Sequence, residues 1–329
     1  MLGDISKSIG KDFLIAAFVP AALLVGMNAL FVRWGLLTRA WFYDWNTLGA
    51  NKPSALLVAS FAAALVLAVM SSIVYRVFEG YLVNVVYYTG TAIVAAAAVV
   101  PRSAMPGVFA AGASIALLGI AQLLRHRWHR RHAAALAVAI PKEDWSRHYP
   151  QNPCEIRPTK FGNAVRAFEE YPAVMWNVEP ISTWVRLTAV LPADFAAQIE
   201  DAKTFVTLLL NTCVVATVLA FETALLAGPN AETKWLWAAL AWAVVAVLAY
   251  AVAPAAARRW GEYVRTAFDV YRLDLLVRMK VALPAGPFTF EQEREVWASV
   301  QQATYYTEYP PHGLKVIVTP DTPKRDPWG

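Results

Sequence analysis

Four stretches of about twenty residues run almost without charge: 13–32, 55–75, 205–227 and 235–253, with Glu222 the one acid among them. Hydrocarbon offers no water to backbone groups, so a spanning helix needs about 20 mostly apolar residues. Each stretch meets that length. Two further uncharged stretches, 82–100 and 107–124, flank Pro101-Arg102-Ser103-Ala104-Met105-Pro106, which reads as a turn. They form either a true pair of spans or a re-entrant hairpin, because Ala and Gly insert less strongly than Leu. The composition agrees: 58% of residues are hydrophobic and 16% charged, against about 45–50% and about 25% in soluble domains. A water-soluble globule, a disordered chain and a disulfide scaffold are excluded. The fold class is therefore an all-α polytopic bundle, with six spans or four plus a hairpin, and a helical cytoplasmic domain.

Sidedness follows from the basic residues. With both termini inside, 24 of the 29 Lys and Arg fall on the cytoplasmic side, as the positive-inside rule requires. Arg125, Arg127, Arg130 and Arg131 follow one apolar stretch directly, and Arg258-Arg259 follow another. The expected location is the plasma membrane. The first apolar stretch is too long for a signal peptide and reads as a retained anchor. Trp34, Trp41, Phe42, Tyr43 and Trp45 in the first loop suit the outer headgroup zone.

The chain divides into a membrane region over 1–124, a cytoplasmic loop domain over 125–204, a membrane hairpin over 205–257 and C-terminal helices with a tail over 258–329. Seven prolines cut 125–204 into short helices, expected at 163–171 and 180–190. Pro192 opens a helix that continues into the span at Phe205. Trp260, Val264, Ala267, Phe268, Tyr271 and Leu275 keep helical spacing over 258–281, with Glu262, Arg265, Asp269 and Arg272 opposite. Thr289-Phe290-Glu291-Gln292 reads as a capping box opening a last helix, and 314–318 as a short strand.

Several stretches resemble those of uncharacterised bacterial multi-pass membrane proteins. They are Pro158-Thr159-Lys160-Phe161-Gly162-Asn163, then Arg166-Ala167-Phe168-Glu169, Tyr171-Pro172 and Trp184-Val185-Arg186-Leu187. Arg76-Val77-Phe78-Glu79-Gly80-Tyr81, Asp12-Phe13-Leu14 with Pro20-Ala21, and 267–276 resemble further blocks of that family. Val185 stands where the family tends to have proline, and Phe161 where it tends to have leucine. The 82–124 stretch has no counterpart. The resemblance implies a shared fold and orientation, and no reaction.

The polar candidates each have a structural reading beside a functional one. Glu222 is either an acid serving ion or proton movement or an interfacial acid near Lys234. Arg166, Glu169, Glu170 and Tyr171 form a polar group, with Arg166–Glu170 at ion-pair spacing; Asp269, Arg272 and Asp274 suggest another. Arg166, Glu169, Asp269 and Arg272 are the residues to examine for a binding cleft. His126, His129, His132 and His148 sit among arginines that repel a divalent cation, so the 125–131 basic run reads as a lipid contact rather than a metal or nucleic-acid site. Pro20 should kink its span, and the small residues Ala111, Gly112, Ser114 and Gly119 suit close packing. Cys154 and Cys213 form no disulfide. Phosphate-loop, nucleophile-elbow, zinc-protease and Cys-x-x-Cys motifs are absent from the sequence, so no catalytic residue, metal or cofactor is read. The expected partners are membrane lipids, a cytoplasmic protein and a second copy of the chain. The leading function is a non-enzymatic, membrane-anchored interaction or sensing module. The alternatives are a small channel or transporter subunit and a lipid-acting membrane enzyme.

Overall fold

The computed structural model describes residues 10–33, 52–81, 142–227, 233–281 and 289–305, with residues 127, 131 and 283 besides. The stretches at 82–100 and 107–124, the turn between them, the first-loop aromatics and the strand expected at 314–318 lie outside the described residues. So do Arg125, Arg130, His126, His129 and His132. Arg127 and Arg131 are helical and exposed.

The regular elements among the described residues are helical. Lys11–Phe13, a π-helical stretch Leu14–Phe18 and Val19–Arg33 make up α1. Then come α2 (Lys52–Glu79), α3 (Lys142–His148), a 3₁₀ turn at Pro153–Glu155, α4 (Lys160–Glu169), α5 (Tyr171–Trp176), α6 (Pro180–Thr188), α7 (Ala193–Ala227), α8 (Thr233–Arg278) and α9 (Phe290–Tyr305). Four helices, α1, α2, α7 and α8, are long and apolar enough to cross a membrane. Their apolar side chains point outward in number: Leu57, Val58, Val69, Val247 and Leu248 are all exposed. Water would penalise such a surface and hydrocarbon would not.

The starts of the helices follow the expected chemistry. Pro180 sits at the first turn of α6, and Glu179 accepts from the backbone N–H groups of Ile181 (3.2 Å) and Ser182 (2.6 Å). At α9 the capping box is reciprocal: Thr289 N–H donates to Gln292 Oε1 (2.8 Å), and Gln292 N–H to Thr289 Oγ1 (3.3 Å). Helix α7 begins one residue after Pro192 and runs through Phe205 without a break. The expected helix at 163–171 is instead two, α4 and α5, with Pro172 in the first turn of α5. The expected span at 235–253 and helix at 258–281 are one helix, α8, with Pro254 inside it. A proline forfeits one backbone hydrogen bond, but the packing of the small, buried Ala253, Ala256 and Ala257 carries the helix past it.

The chain divides into two compact units. The first comprises Met1–Arg166 and Glu200–Trp260, and the second Ala167–Ile199 and Gly261–Gly329. In the first unit, α7 is the most enclosed helix, with 44% of its apolar window buried against 17–22% for the other three. Small side chains make the contacts. Ala17 and Ala21 of α1 meet Ala64 of α2; Cys213 and Ala216 of α7 meet Ala246 and Ala249 of α8. Small residues let apolar helices approach closely enough for dispersion contacts to hold them. Phe31, Val215 and Leu219 close a third cluster with Trp235 and Trp242.

Polar bonds fix the register. Lys11 pairs with Asp201 (2.7 Å), Thr204 Oγ1 donates to Asp12 Oδ1 (2.7 Å), and Tyr75 Oη meets Thr207 Oγ1 (2.9 Å). Pro20 has no N–H for the carbonyl of Ala16, four residues back. The helix widens there into its π stretch, a usual accommodation of such a defect. Asn211 Nδ2 of α7 donates to that same Ala16 oxygen at 2.7 Å. In hydrocarbon an unmet carbonyl is costly, so α7 supplies the donor that Pro20 withholds.

Candidate functional site

Within the first unit, the Arg76–Tyr81 stretch meets the Pro158–Asn163 stretch. Helix α2 ends with Tyr81 N–H donating to Arg76 O (3.0 Å) and Gly80 N–H to Val77 O (3.1 Å), and with Gly80 left-handed at φ 89°. This is the Schellman arrangement. It leaves the carbonyl of Phe78 without a partner in its own chain segment, and Thr159 Oγ1 donates to it at 2.5 Å. The same hydroxyl accepts the N–H of Gly162 (2.8 Å) and so caps α4. One buried side chain therefore closes the end of one helix and the start of another. The approach is close: a Cβ on Gly162 would overlap the carbonyl oxygen of Glu79, and one on Gly80 the ring of Pro158.

The segment before Thr159 is pinned to this junction. Asn163 Oδ1 accepts from Arg157 N–H (2.6 Å), and Asn163 Nδ2 donates to Arg157 O (3.0 Å). The Arg157 guanidinium lies 4.0 Å over the Tyr81 ring and donates to its Oη (2.7 Å). Arg166 lies 3.2 Å from Glu155, which also neighbours Arg157 at 3.6 Å. Glu155 carried no signal in the sequence, because its partners come from turns and not from helical spacing.

The second unit holds the Asp269 and Arg272 candidates, one turn apart on α8. The Asp269 carboxylate accepts from Tyr171 Oη (2.8 and 2.9 Å) and from Trp176 Nε1 (2.9 Å), both on α5. The Arg272 guanidinium lies 3.4 Å over the Trp176 ring. It forks onto Glu293 of α9, Nε to Oε1 at 2.6 Å and Nη2 to Oε2 at 3.2 Å, and also donates to Asp269 O. Arg265 lies over Tyr171 and donates to Ala167 O (3.2 Å). Arg294 donates to Val174 O (2.6 Å) and Met175 O (2.7 Å). These bonds tie α5, α8 and α9 together over an apolar core of Phe268, Leu275, Leu276 and Trp297. Glu293 and Trp176 were not legible as partners of Arg272, since 21 residues and a helix end separate Glu293 from it.

Glu169 is half-buried and Asp274 exposed. Arg186 donates back to Ser182 O (2.7 Å) on its own helix. Glu222, half-buried on α7, accepts from Asn28 Nδ2 of α1 at 3.0 Å; the Lys234 side chain lies outside the described residues. Among the described residues no group of three or more His, Cys, Asp or Glu is placed to hold a metal ion. Comparisons with protein-family models, with curated proteins and with solved structures find no match for this chain.

Burial, and then the hydrogen bond to the Asp269 carboxylate, push the Tyr171 phenol up to about 12. An unfolded tyrosine titrates near 10. The neutral phenol therefore supports the fold fully below about pH 10, and that support is lost as pH rises through about 12. A phenolate absorbance titration of the native protein, minus that of Tyr171→Phe, is expected to show one group ionising near 12. A difference curve centred near 10 would refute the Tyr171–Asp269 bond.

Proposed function

We propose that the chain is a multi-pass plasma-membrane protein with six spans and both termini in the cytoplasm. Its second unit is a cytoplasmic, non-enzymatic module that binds a protein partner. The observation that carries this reading is the outer face of α6. Ile181 and Val185, one turn apart, are 79% and 73% exposed, while Thr183 and Leu187 on the other face are buried. Glu179 at its start and the Arg186–Ser182 bond hold this helix in shape, so its exposed apolar pair is presented on a set surface. Single exposed apolar residues are ordinary; a branched pair held on one rigid helix face is what a partner contact could use. The Asp269–Arg272–Glu293 cluster supports the same reading, because its groups are committed to one another. The Asn28–Glu222 bond accounts for the acid in α7 as a link between packed helices, which favours a module over a channel.

A photo-crosslinking amino acid at position 185 of the full chain, irradiated in cells, is expected to give a discrete protein adduct. The adduct should be lost with Ile181→Glu. Adducts with lipid alone would overturn the reading. The number of spans is a separate matter, tested by reporter fusions after Arg102 and after His132. Six spans require the first to report the outside and the second the cytoplasm; both reporting the cytoplasm would establish the hairpin instead.

A further inference from the structure

A cavity of about 360 Å³ lies wholly within the first unit, between α3, α4 and α8. That volume is within the roughly 300–1,000 Å³ of small-ligand sites. Among the described residues its charged and titratable lining is His148, Tyr149, Lys160 and Arg258, with no carboxylate among them. Arg157 and Arg166 nearby share Glu155. Lys160 and Arg258, by contrast, make no ion pair with any described residue. Two cations facing one concave space with no counter-ion among the described residues favour an anion there.

Local contacts hold the walls. Asn163 is held at both ends of its amide by the Arg157 backbone. Tyr149 stacks on Trp145 at 4.7 Å, and Trp145 Nε1 donates to Pro150 O (3.2 Å). On the α8 side the wall is Ala251, Pro254 and Ala255, whose small side chains leave the space open.

The depth of the cavity along α8 bears on the class of its ligand. Helix α8 is apolar from Trp235 to Pro254 and cationic from Arg258. At about 1.5 Å per residue, Pro254 lies about 28 Å along the helix from Trp235, close to the roughly 30 Å of a hydrocarbon core. A helix entering hydrocarbon at Trp235 leaves it at the cavity, on the side that the charge asymmetry assigns to the cytoplasm. Basic pockets at that depth suit phosphate headgroups, and a guanidinium can fork onto phosphate oxygens.

We propose that the cavity lined by Lys160, Arg258 and His148 binds the phosphate of an anionic membrane lipid. This site is other than the lipid contact read from the basic sequence at 125–131, and it does not depend on the second unit having a partner.

The full chain in nanodiscs of phosphatidylcholine with a minor share of phosphatidylglycerol tests this, with bound lipid counted by native mass spectrometry. The wild type is expected to retain one phosphatidylglycerol saturably. Lys160→Gln with Arg258→Gln should weaken retention by roughly tenfold or more. Ala251→Trp should do the same by filling the space with no change of charge. Positions 160 and 251 are exposed, and circular dichroism with size exclusion confirms that each variant folds. Arg259→Gln, which removes an exposed charge next to Arg258 but outside the cavity lining, should leave retention unchanged; an equal loss there would overturn the site in favour of general surface charge. A second arm titrates inorganic phosphate into pure phosphatidylcholine nanodiscs. Saturable binding there, with the same dependence on Lys160, Arg258 and Ala251 and without phosphatidylglycerol retention, would keep the phosphate chemistry and overturn the lipid source. Indistinguishable wild type and variants in both arms would overturn the proposal.

Discussion

The hydroxyl of Thr159 is the constraint on which the first unit turns. A helix leaves carbonyls unmet at its C-terminus and N–H groups unmet at its N-terminus. At the end of α2 the Schellman bonds satisfy Arg76 and Val77, and the next carbonyl, that of Phe78, takes its donor from Thr159. The same oxygen accepts from Gly162, so the two helices cannot separate without exposing a buried donor and a buried acceptor together. Each unmet group costs about 1–3 kcal/mol. The contact requires that neither Gly80 nor Gly162 carry a side chain. It also sets the wall of the cavity, because Lys160 and Asn163 lie in the first turns of the helix that Thr159 caps.

The same demand for backbone partners organises the apolar helices. Pro20 withholds a donor from Ala16, and Asn211 replaces it from α7. Thr217 and Thr223 donate back to Cys213 O and Leu219 O within α7 (2.7 Å each), which keeps their hydroxyls satisfied without water. The helix contacts themselves rest on alanine. Among lipid chains no hydrophobic gain separates Leu from its surroundings, so close approach and a few polar bonds decide which faces meet.

Much of the helical framework was legible in the sequence, and few of the partnerships were. Run length marked the four apolar helices, prolines marked the starts of α6 and α7, and Thr289 with Gln292 marked the start of α9. These signals are local, and so is the physics behind them. The apolar span at 235–253 and the amphipathic helix at 258–281 read as two and are one helix, because the hydrogen bond Pro254 forfeits weighs less than the burial of Ala253 and Ala257. Helical spacing placed Asp269 and Arg272 on the polar face of α8 but could not name Tyr171, Trp176 or Glu293, which come from other helices. Spacing likewise could not name Glu155, which reaches Arg166 from a turn. Thr159 and Gly162 stood together in a resembling stretch, yet that they answer Phe78 and Glu79 is a fact of tertiary structure alone.

The most direct measurement compares Thr159→Val with Thr159→Ser in the full chain, following thermal unfolding in detergent. Valine keeps the shape and removes the hydroxyl; serine keeps the hydroxyl and removes a methyl. The account predicts that valine destabilises by about 2–6 kcal/mol, two buried groups being left unmet, and that serine costs about 1 kcal/mol or less. Equal stability of the two variants, or a serine variant weaker than the valine one, would contradict it.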